Sequence, residues 1–462
     1  MRRASTVAWL VCAGVAGLIA LAAIARWLWA VSLNGPVLYG EGAVAHAAIL
    51  ARDRLEYTAG AGYGGTPPIF TAANYPPLFF HLAGLGDPFV TGRVLSIGAT
   101  LVVALAIAWR GRTGGWATAT ALALGWLATL PVVVWGAALK PDLVAVAFTV
   151  GGVLAVEARR PLVAGALLAL AVSAKPTALL PAAGLAVPVL FAWRVGGLVA
   201  YLAAGVVTGV LVGIATRLPD MELYQHVVDW NALAWRPDQA AQLALVGVIA
   251  IGVPALTLVL YRRAVTPAPA AYVLAGVALI ILGGREGATI NYLLDLSAAS
   301  ALALAAIASL VRSGPVLPLA LAAQLVLALA LFNPLGFVPG RPPTTGAWAD
   351  PARFATVRAL PDPALVEDSG LLVAAGREPL VDDLFLWSRL LERGGTFSEG
   401  RALLDAVGTR RFVRIVSEAD LERLDEAPAY ERQRWAGSLV RQVLDRYRLE
   451  RREGALWIYV PR

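Results

Sequence analysis

The chain has 462 residues, of which 58% are hydrophobic and only 15% charged, with a formal net charge of +7. Over the first 340 or so positions that balance is too apolar for a soluble protein, so composition excludes the soluble enzyme classes and predicts an α-helical polytopic membrane protein. From Arg341 onward 19 arginines face 19 carboxylates, so the whole excess lies in the first part, dispersed as loop charges rather than clustered as a nucleic-acid-binding patch.

In chain order, the first apolar run (7–31) continues without a small-residue cleavage site and reads as a retained span rather than a removed signal. Cys12, the only cysteine, lies in it, so no intrachain disulfide can form. Further runs at 88–109, 114–134, 142–157, 161–174, 177–193, 196–216, 240–260, 268–283, 291–311 and 315–333 give about 11 transmembrane helices. With the N-terminus cytoplasmic, alternate connections carry Arg110 and Arg112, Glu157 to Arg160, Arg194, Arg262 and Arg263, and Arg312, as the positive-inside rule requires. The segment 161–193 is short for two crossings. It reads as two half-length helices meeting at Lys175-Pro176, or alternatively as one long span that would reverse every later assignment.

Between the first two spans lies a large loop, 32–87. After Gly40-Glu41-Gly42 it shows a helix-compatible stretch of small apolar residues, expected to lie along the membrane surface. Asn74-Tyr75-Pro76-Pro77 then favours an extended turn before re-entry into the bilayer. Near Pro339 the composition changes, and Pro342-Pro343 mark a linker. The predicted division is therefore a transmembrane domain, 1–338, that includes the first loop, and a small soluble α/β domain, 339–462. In the latter LLVAAG, RRFVRIV and ALWIYV read as strands, and 417–426 and 431–450 as helices. No phosphate loop, metal-ligand cluster or nucleophile elbow is visible there.

The basic residues comprise 36 arginines and two lysines, Lys140 and Lys175, each followed by proline in LKPD and AKPT. Both fall at predicted outer ends of spans, as does Arg285 in GGREGATIN. The alternative for each is snorkelling to the interface. Asp142 opens a span, where it caps the helix or pairs with Lys140. Asp295, about one turn below Asn291, is costly in a bilayer unless it faces the protein interior. Asp53 and Glu56, beside Arg52 and Arg54, read as a charged helix face. His46, His81 and His226 lack ligand spacing and read as polar loop residues.

The order of these features, a carboxylate just after the first span, then NYPPL, GRVLS, LKPD and GREGATINYLLDL, with EDSGLLVAAGREPLVDDLFL in the tail, resembles the polytopic bacterial glycosyltransferases of the GT-C superfamily. That is the fold class of the protein O-mannosyltransferases and the lipid A aminoarabinose transferase. The resemblance implies a polyprenyl-phosphate-linked sugar donor, an extracytoplasmic site at the bacterial inner membrane, and inversion at the anomeric carbon. It also implies a glycolipid, polysaccharide or protein acceptor. Glu41 matches the catalytic carboxylate position, and Lys140, Lys175 and Arg285 are the candidates for donor-phosphate binding. Asp142, Asn291, Tyr292 and Tyr75 are candidates for support or sugar contact. No cofactor is expected. Many relatives carry Asp-Glu where this chain has Gly40-Glu41, and the missing second carboxylate leaves a divalent metal open. The rival classes are a lipid or sugar transporter or flippase, which predicts repeated halves that the sequence lacks, and a non-catalytic membrane scaffold.

Overall fold

The computed structural model describes residues 2–217, 221–312, 314–336, 351–394 and 397–462. The chain divides into two compact units: Met1–Val31 with Arg93–Thr216 and Trp235–Thr345, and Ser32–Gly92 with Arg217–Ala234 and Gly346–Arg462. Both units are discontinuous in sequence, and the first loop groups with the C-terminal segment rather than with the helices that flank it. The 338/339 boundary and the Pro342-Pro343 linker lie outside the described residues.

The first unit is helical. Among the described residues four helices, Arg3–Ser32, Pro88–Gly114, Pro176–Thr216 and Pro237–Leu260, are long and apolar enough to cross a membrane, and shorter apolar helices such as Pro161–Ala174 and Pro267–Leu282 accompany them. The helix Arg2–Ser32 shows why the exposed face belongs in lipid. Trp9, Ala16, Ala20, Ala23 and Trp27 are buried on one stripe, while Leu18, Leu21 and Leu28 stand exposed on another. A helix apolar all round is stable only where its outer face also escapes water. Small residues set the internal packing: a Cβ on Gly165 would lie 2.0 Å from the Tyr201 carbonyl oxygen, so these two backbones meet directly.

Two expected spans are broken. The run 114–134 divides into Trp116–Leu127 and Leu130–Trp135 at an extended Thr129, because Pro131 has no N–H to continue the ladder. The run 291–311 divides at Ile307. In 161–193 the helix Pro161–Ala174 ends at an extended Lys175, and a second helix begins at Leu179. That second helix breaks at Arg194 (φ 58°), and the Tyr201 hydroxyl donates to the Ala182 carbonyl at 2.7 Å. Nineteen residues of straight helix would span about 28 Å, so the chain must fold back at Arg194.

Contacts within this unit gather the basic connections at one end. Arg110 pairs with Glu157, Thr266 donates to Glu157 at 2.8 Å, and the Ser5 hydroxyl donates to the Arg312 carbonyl. Asp142 joins Lys175 and Asn291 instead, at the opposite ends of the helices that carry them.

The second unit is built on a four-stranded sheet in the order β1-β2-β4-β3, with β1 Ala364–Val366, β2 Arg414–Ser417, β3 Tyr447–Glu453 and β4 Leu456–Pro461. β1 and β2 are parallel, and the other pairs are antiparallel. Successive strand residues alternate between two cores. Leu365, Ile415 and Tyr459 join a core with Trp387, Trp435 and Phe412, while Val366, Val416 and Ile458 join another with Val357 and Leu371. Phe70 of the first loop and Trp230 of 217–234 are buried in the former, which explains why three stretches make one unit.

Three local expectations are corrected here. LLVAAG is not a strand: Gly370–Ala374 is helical and packs one core with Leu371 and Leu372. The stretch 431–450 is helix only over Gly437–Arg446 before β3 begins, and 417–426 yields a 3-10 turn at Leu421–Glu426. The helix Glu41–Leu50 does not present a polar face for a membrane surface, because all of its residues except Ile49 are buried. Alanine and glycine on every side let neighbours approach from every side.

Candidate active site

Glu41 is the first residue of its helix, set there by Gly40 in the left-handed conformation (φ 77°). The carboxylate is fully buried, and its Oε2 accepts the Val37 N–H at 2.8 Å. Residues of the C-terminal segment form its seat. A Cβ on Gly42 would lie 2.2 Å from the Gly370 nitrogen and 2.3 Å from the Ser369 hydroxyl oxygen, so only glycine permits this approach. The Tyr39 hydroxyl accepts the Phe385 N–H at 2.9 Å, and the Arg434 guanidinium lies 4.0 Å from the Tyr39 ring centroid. Arg434 in turn bonds Glu367 at 3.0 Å and Glu418 at 2.7 Å.

Asp368, in the turn after β1, is buried, with Oδ2 3.8 Å from Nη2 of Arg353. Burial pushes its carboxyl up to about 6, Arg353 and Arg434 pull it down, and Glu41 pushes it up.

Of the three histidines expected as polar loop residues, His46 and His226 are buried and His81 is half-buried, because packing partners distant in sequence cover them. His46 is fully buried, with Nδ1 3.0 Å from Asp382 and Nε2 3.5 Å from Glu378. Burial lowers its proton affinity, but the two carboxylates outweigh burial and leave its pKa raised. Asp382 also accepts the Ala72 N–H at 2.9 Å, and Glu378 accepts the Tyr63 N–H at 2.6 Å. Glu56 is buried and bonds His81 at 2.9 Å, so of the expected charged face Arg52, Asp53 and Arg54 are exposed and Glu56 is not. Among the described residues no group of three or more His, Cys, Asp or Glu is arranged to hold a metal.

Tyr75 is half-buried, and its carbonyl accepts the Tyr57 hydroxyl at 2.6 Å. The preceding Ala73 N–H donates to Nδ1 of buried His226 at 3.0 Å, and Asn231 donates to the Asn74 carbonyl at 2.9 Å. Burial lowers the His226 pKa to about 4. The unfolded chain therefore takes up a proton near pH 6.5 that the folded chain refuses until about 4, so stability is lost as pH falls through that window. The expected loss is on the order of 3 kcal/mol, and His226→Gln removes it. Melting midpoints of both proteins between pH 7.5 and 4.5 test this; parallel curves reject it.

The remaining predicted residues lie in the first unit. Lys175 Nζ sits 2.5 Å from Oδ1 of Asp142, and Asn291 Nδ2 donates to the same oxygen at 2.8 Å. The Tyr292 ring centroid is 5.1 Å from Nζ, and Oδ2 of Asp142 is buried without a hydrogen-bond partner. Asp142 thus bonds Lys175 and Asn291 and makes no side-chain cap, and the charge of Lys140 also acts on it. The reason is reach: Asp142 opens its helix beside the extended break at Lys175, which aims Nζ at the carboxylate. Asn291 is committed to protein contacts, since its carbonyl also accepts the Thr289 hydroxyl at 2.9 Å. Asp295 is buried and accepts the Tyr272 hydroxyl at 2.9 Å, so it faces the protein interior.

Lys140 is half-buried in a turn pinned by Ser96, whose hydroxyl donates to the Ala138 carbonyl at 2.7 Å. Arg93, three residues earlier, donates to the Ala30 carbonyl at 2.7 Å, so GRVLS ties two chain connections together. Arg285 is half-buried, and its carbonyl accepts from Gln239 at 2.7 Å. Its neighbour Glu286 lies 3.9 Å from Arg236. The stretches GRVLS and EDSG…REPLVDD supply further buried polar partners, Ser96, Asp368 and Asp382, which no local pattern marks.

No family model matches the chain, and no curated protein matches it. Among solved structures, ArnT from Cupriavidus metallidurans matches in the apo state and bound to undecaprenyl phosphate. Each comparison has 15% identity and a TM-score of 0.54, and covers 96% of this chain and 97% of that one. The Archaeoglobus fulgidus oligosaccharyltransferase tethered with an acceptor peptide matches at 13% identity and a TM-score of 0.48, over 96% of this chain and 72% of that one.

Proposed function

We propose that this chain, a polytopic membrane protein with the GT-C fold, is an inverting glycosyltransferase that moves a sugar from a polyprenyl-phosphate donor to an acceptor hydroxyl. The observation that carries the reading is the fold shared with ArnT across nearly the whole of both chains, together with undecaprenyl phosphate as the ligand of that protein. The inner membrane is the proposed location, with the N-terminus cytoplasmic and the second unit and the reaction outside.

In this reading Glu41 is the general base. Its carboxylate takes the acceptor proton as the oxygen attacks the anomeric carbon from the face opposite the phosphate. The anomeric C–O bond to phosphate breaks, and its electron pair leaves with the polyprenyl phosphate. Lys140, Lys175 and Arg285 are the cationic groups proposed to stabilise that departing charge. Lys175 already has Asp142 as a counter-ion, so its share is electrostatic tuning unless the pair opens to the donor. Asn291 and Tyr292 hold the cluster, and Tyr75 borders the first loop's turn as a candidate sugar contact.

Purified protein supplied with polyprenyl-phosphate hexoses and pentoses, and with membrane extract as acceptor, tests the reading. The expected result is a product of inverted anomeric configuration and stoichiometric release of polyprenyl phosphate. The labelled product then identifies the acceptor as glycolipid, polysaccharide or protein. Lipid translocation in vesicles without any transfer would replace the reading with a flippase.

A further inference from the structure

Two stretches distant in sequence are fastened to the helix that Glu41 opens, and His46 lies at the join. Its ring is fully buried, with Nδ1 3.0 Å from Asp382 and Nε2 3.5 Å from Glu378. Each carboxylate holds a further part of the chain. Asp382 accepts the Ala72 N–H at 2.9 Å, and its carbonyl accepts the hydroxyl of Ser369, the residue that Gly42 abuts at the start of the helix. Glu378 accepts the N–H groups of Tyr63 and Gly64, and a Cβ on Gly62 would fall 2.2 Å from its Oε1, so the glycine loop wraps this carboxylate directly. The Tyr63 ring lies 5.5 Å from the His46 ring and closes the cluster.

We propose that His46, doubly protonated between Asp382 and Glu378, is the clasp that fastens the glycine loop 62–64 and the stretch 369–382 to the helix Glu41–Leu50, and is thereby a positioning residue for Glu41. The part that concerns Glu41 rests on its being the base of the transfer reaction. Geometry assigns the charge. An ionised carboxylate only accepts and a neutral imidazole has one N–H, so carboxylates facing both ring nitrogens are satisfied together only by the imidazolium. Burial pushes the His46 pKa down, and the hydrogen bonds to Asp382 and Glu378 push it up by more, in agreement. The helices packed on this one bring no further charge to the ring: Gly370–Ala374 has none, and His81 of Pro77–Ala83 is bonded to Glu56. On its own helix Glu41 is the only other titratable residue, five positions away. Loss of the proton leaves two buried carboxylates without their cation, and the weaker attachment opens. Asp382 is held from the interior by Ala72, whereas Glu378 is held by an exposed loop, so Glu378 and residues 62–64 are the part that lets go. Because the folded pKa is raised, the clasp is complete below the unfolded value of 6.5 and is lost as pH rises through the folded value.

Two measurements on the purified full chain test it. In hydrogen exchange the Tyr63 and Gly64 amides should lose about tenfold of their protection as pH rises from about 5.5 to 9, with the midpoint that the ring-labelled His46 shows by NMR. Asp382→Asn leaves the bonds from Glu378 to the loop in place and should move both midpoints to lower pH together. In transfer assays kcat should show an alkaline limb at the same midpoint, shifted equally by Asp382→Asn, with donor KM unchanged. A His46 that only fills space would lower stability when replaced, without linking loop protection to pH. Loop protection that stays flat across this range overturns the proposal, on wild type alone if the variant does not fold. An alkaline limb that stays in place in Asp382→Asn overturns the positioning of Glu41. Protection that follows His46 without transfer by any protein leaves the clasp standing and removes the transferase reading.

Discussion

Glu41→Gln should reduce sugar transfer by about 10²–10⁴-fold while donor affinity stays within a factor of a few. The substitution is close to isosteric, and the amide oxygen of glutamine can still accept the Val37 N–H that now reaches Oε2 at 2.8 Å. Helix Glu41–Leu50 packs through its small residues rather than through this carboxylate, so the seat should survive. What the amide cannot do is take a proton near neutral pH. Single-turnover transfer at saturating donor, compared with donor binding by the same preparation, separates the two effects. Equal transfer by wild type and variant would remove Glu41 from catalysis and turn attention to Asp53 and Glu56.

The second large effect concerns the buried pair in the first unit. Asp142→Ala leaves the Lys175 ammonium buried with its counter-ion gone, and the expected destabilisation is about 3–5 kcal/mol. Lys175→Met alone leaves Asp142 with the Asn291 amide as its donor and should cost a similar amount. The double variant Asp142→Leu/Lys175→Met removes both charges and should recover most of the loss, because a buried ion pair adds little net stability over apolar side chains of similar volume. Melting midpoints of the single and double variants in detergent give the coupling directly. If the double variant is as unstable as either single one, the pair is not what holds these helix ends together. The same protein reports on function. A folded double variant whose donor affinity has dropped tenfold or more identifies Lys175 as a phosphate ligand, and unchanged affinity transfers that role to Lys140 and Arg285.

Several features of the candidate site were legible because they are local. LKPD and AKPT each combine a charge with a helix-breaking proline, and the structure puts a turn at Lys140 and an extended residue at Lys175. Gly40 before Glu41 marked a helix start, since glycine tolerates the left-handed conformation found there. Asp295 had to find an interior partner because of its depth, and it bonds Tyr272. Other features misled for equally physical reasons. The alanine-rich stretch after Glu41 has too little amphipathic pattern to tell a surface from a core, and the sequence placed it on the wrong one. LLVAAG has strand-like composition, but the helix Gly370–Ala374 buries Leu371 and Leu372 in a core with Val357.

What the sequence determined by itself is where the helices run and which short segments carry charge, because hydropathy, proline and glycine act over a few residues. Only the tertiary structure decided which charges meet. Asp142 reaches Lys175 33 residues away and Asn291 149 residues away, and His46 reaches Asp382 across 336 positions. Likewise, Phe70 of the first loop and Trp230 share a core with Trp387 and Trp435 of the C-terminal segment, so the first loop belongs to a unit whose other parts the local pattern cannot point to. Such pairings arise because a buried carboxylate or cation is tolerable only beside a partner, and any segment that packing brings within reach satisfies that need, however far along the chain it lies.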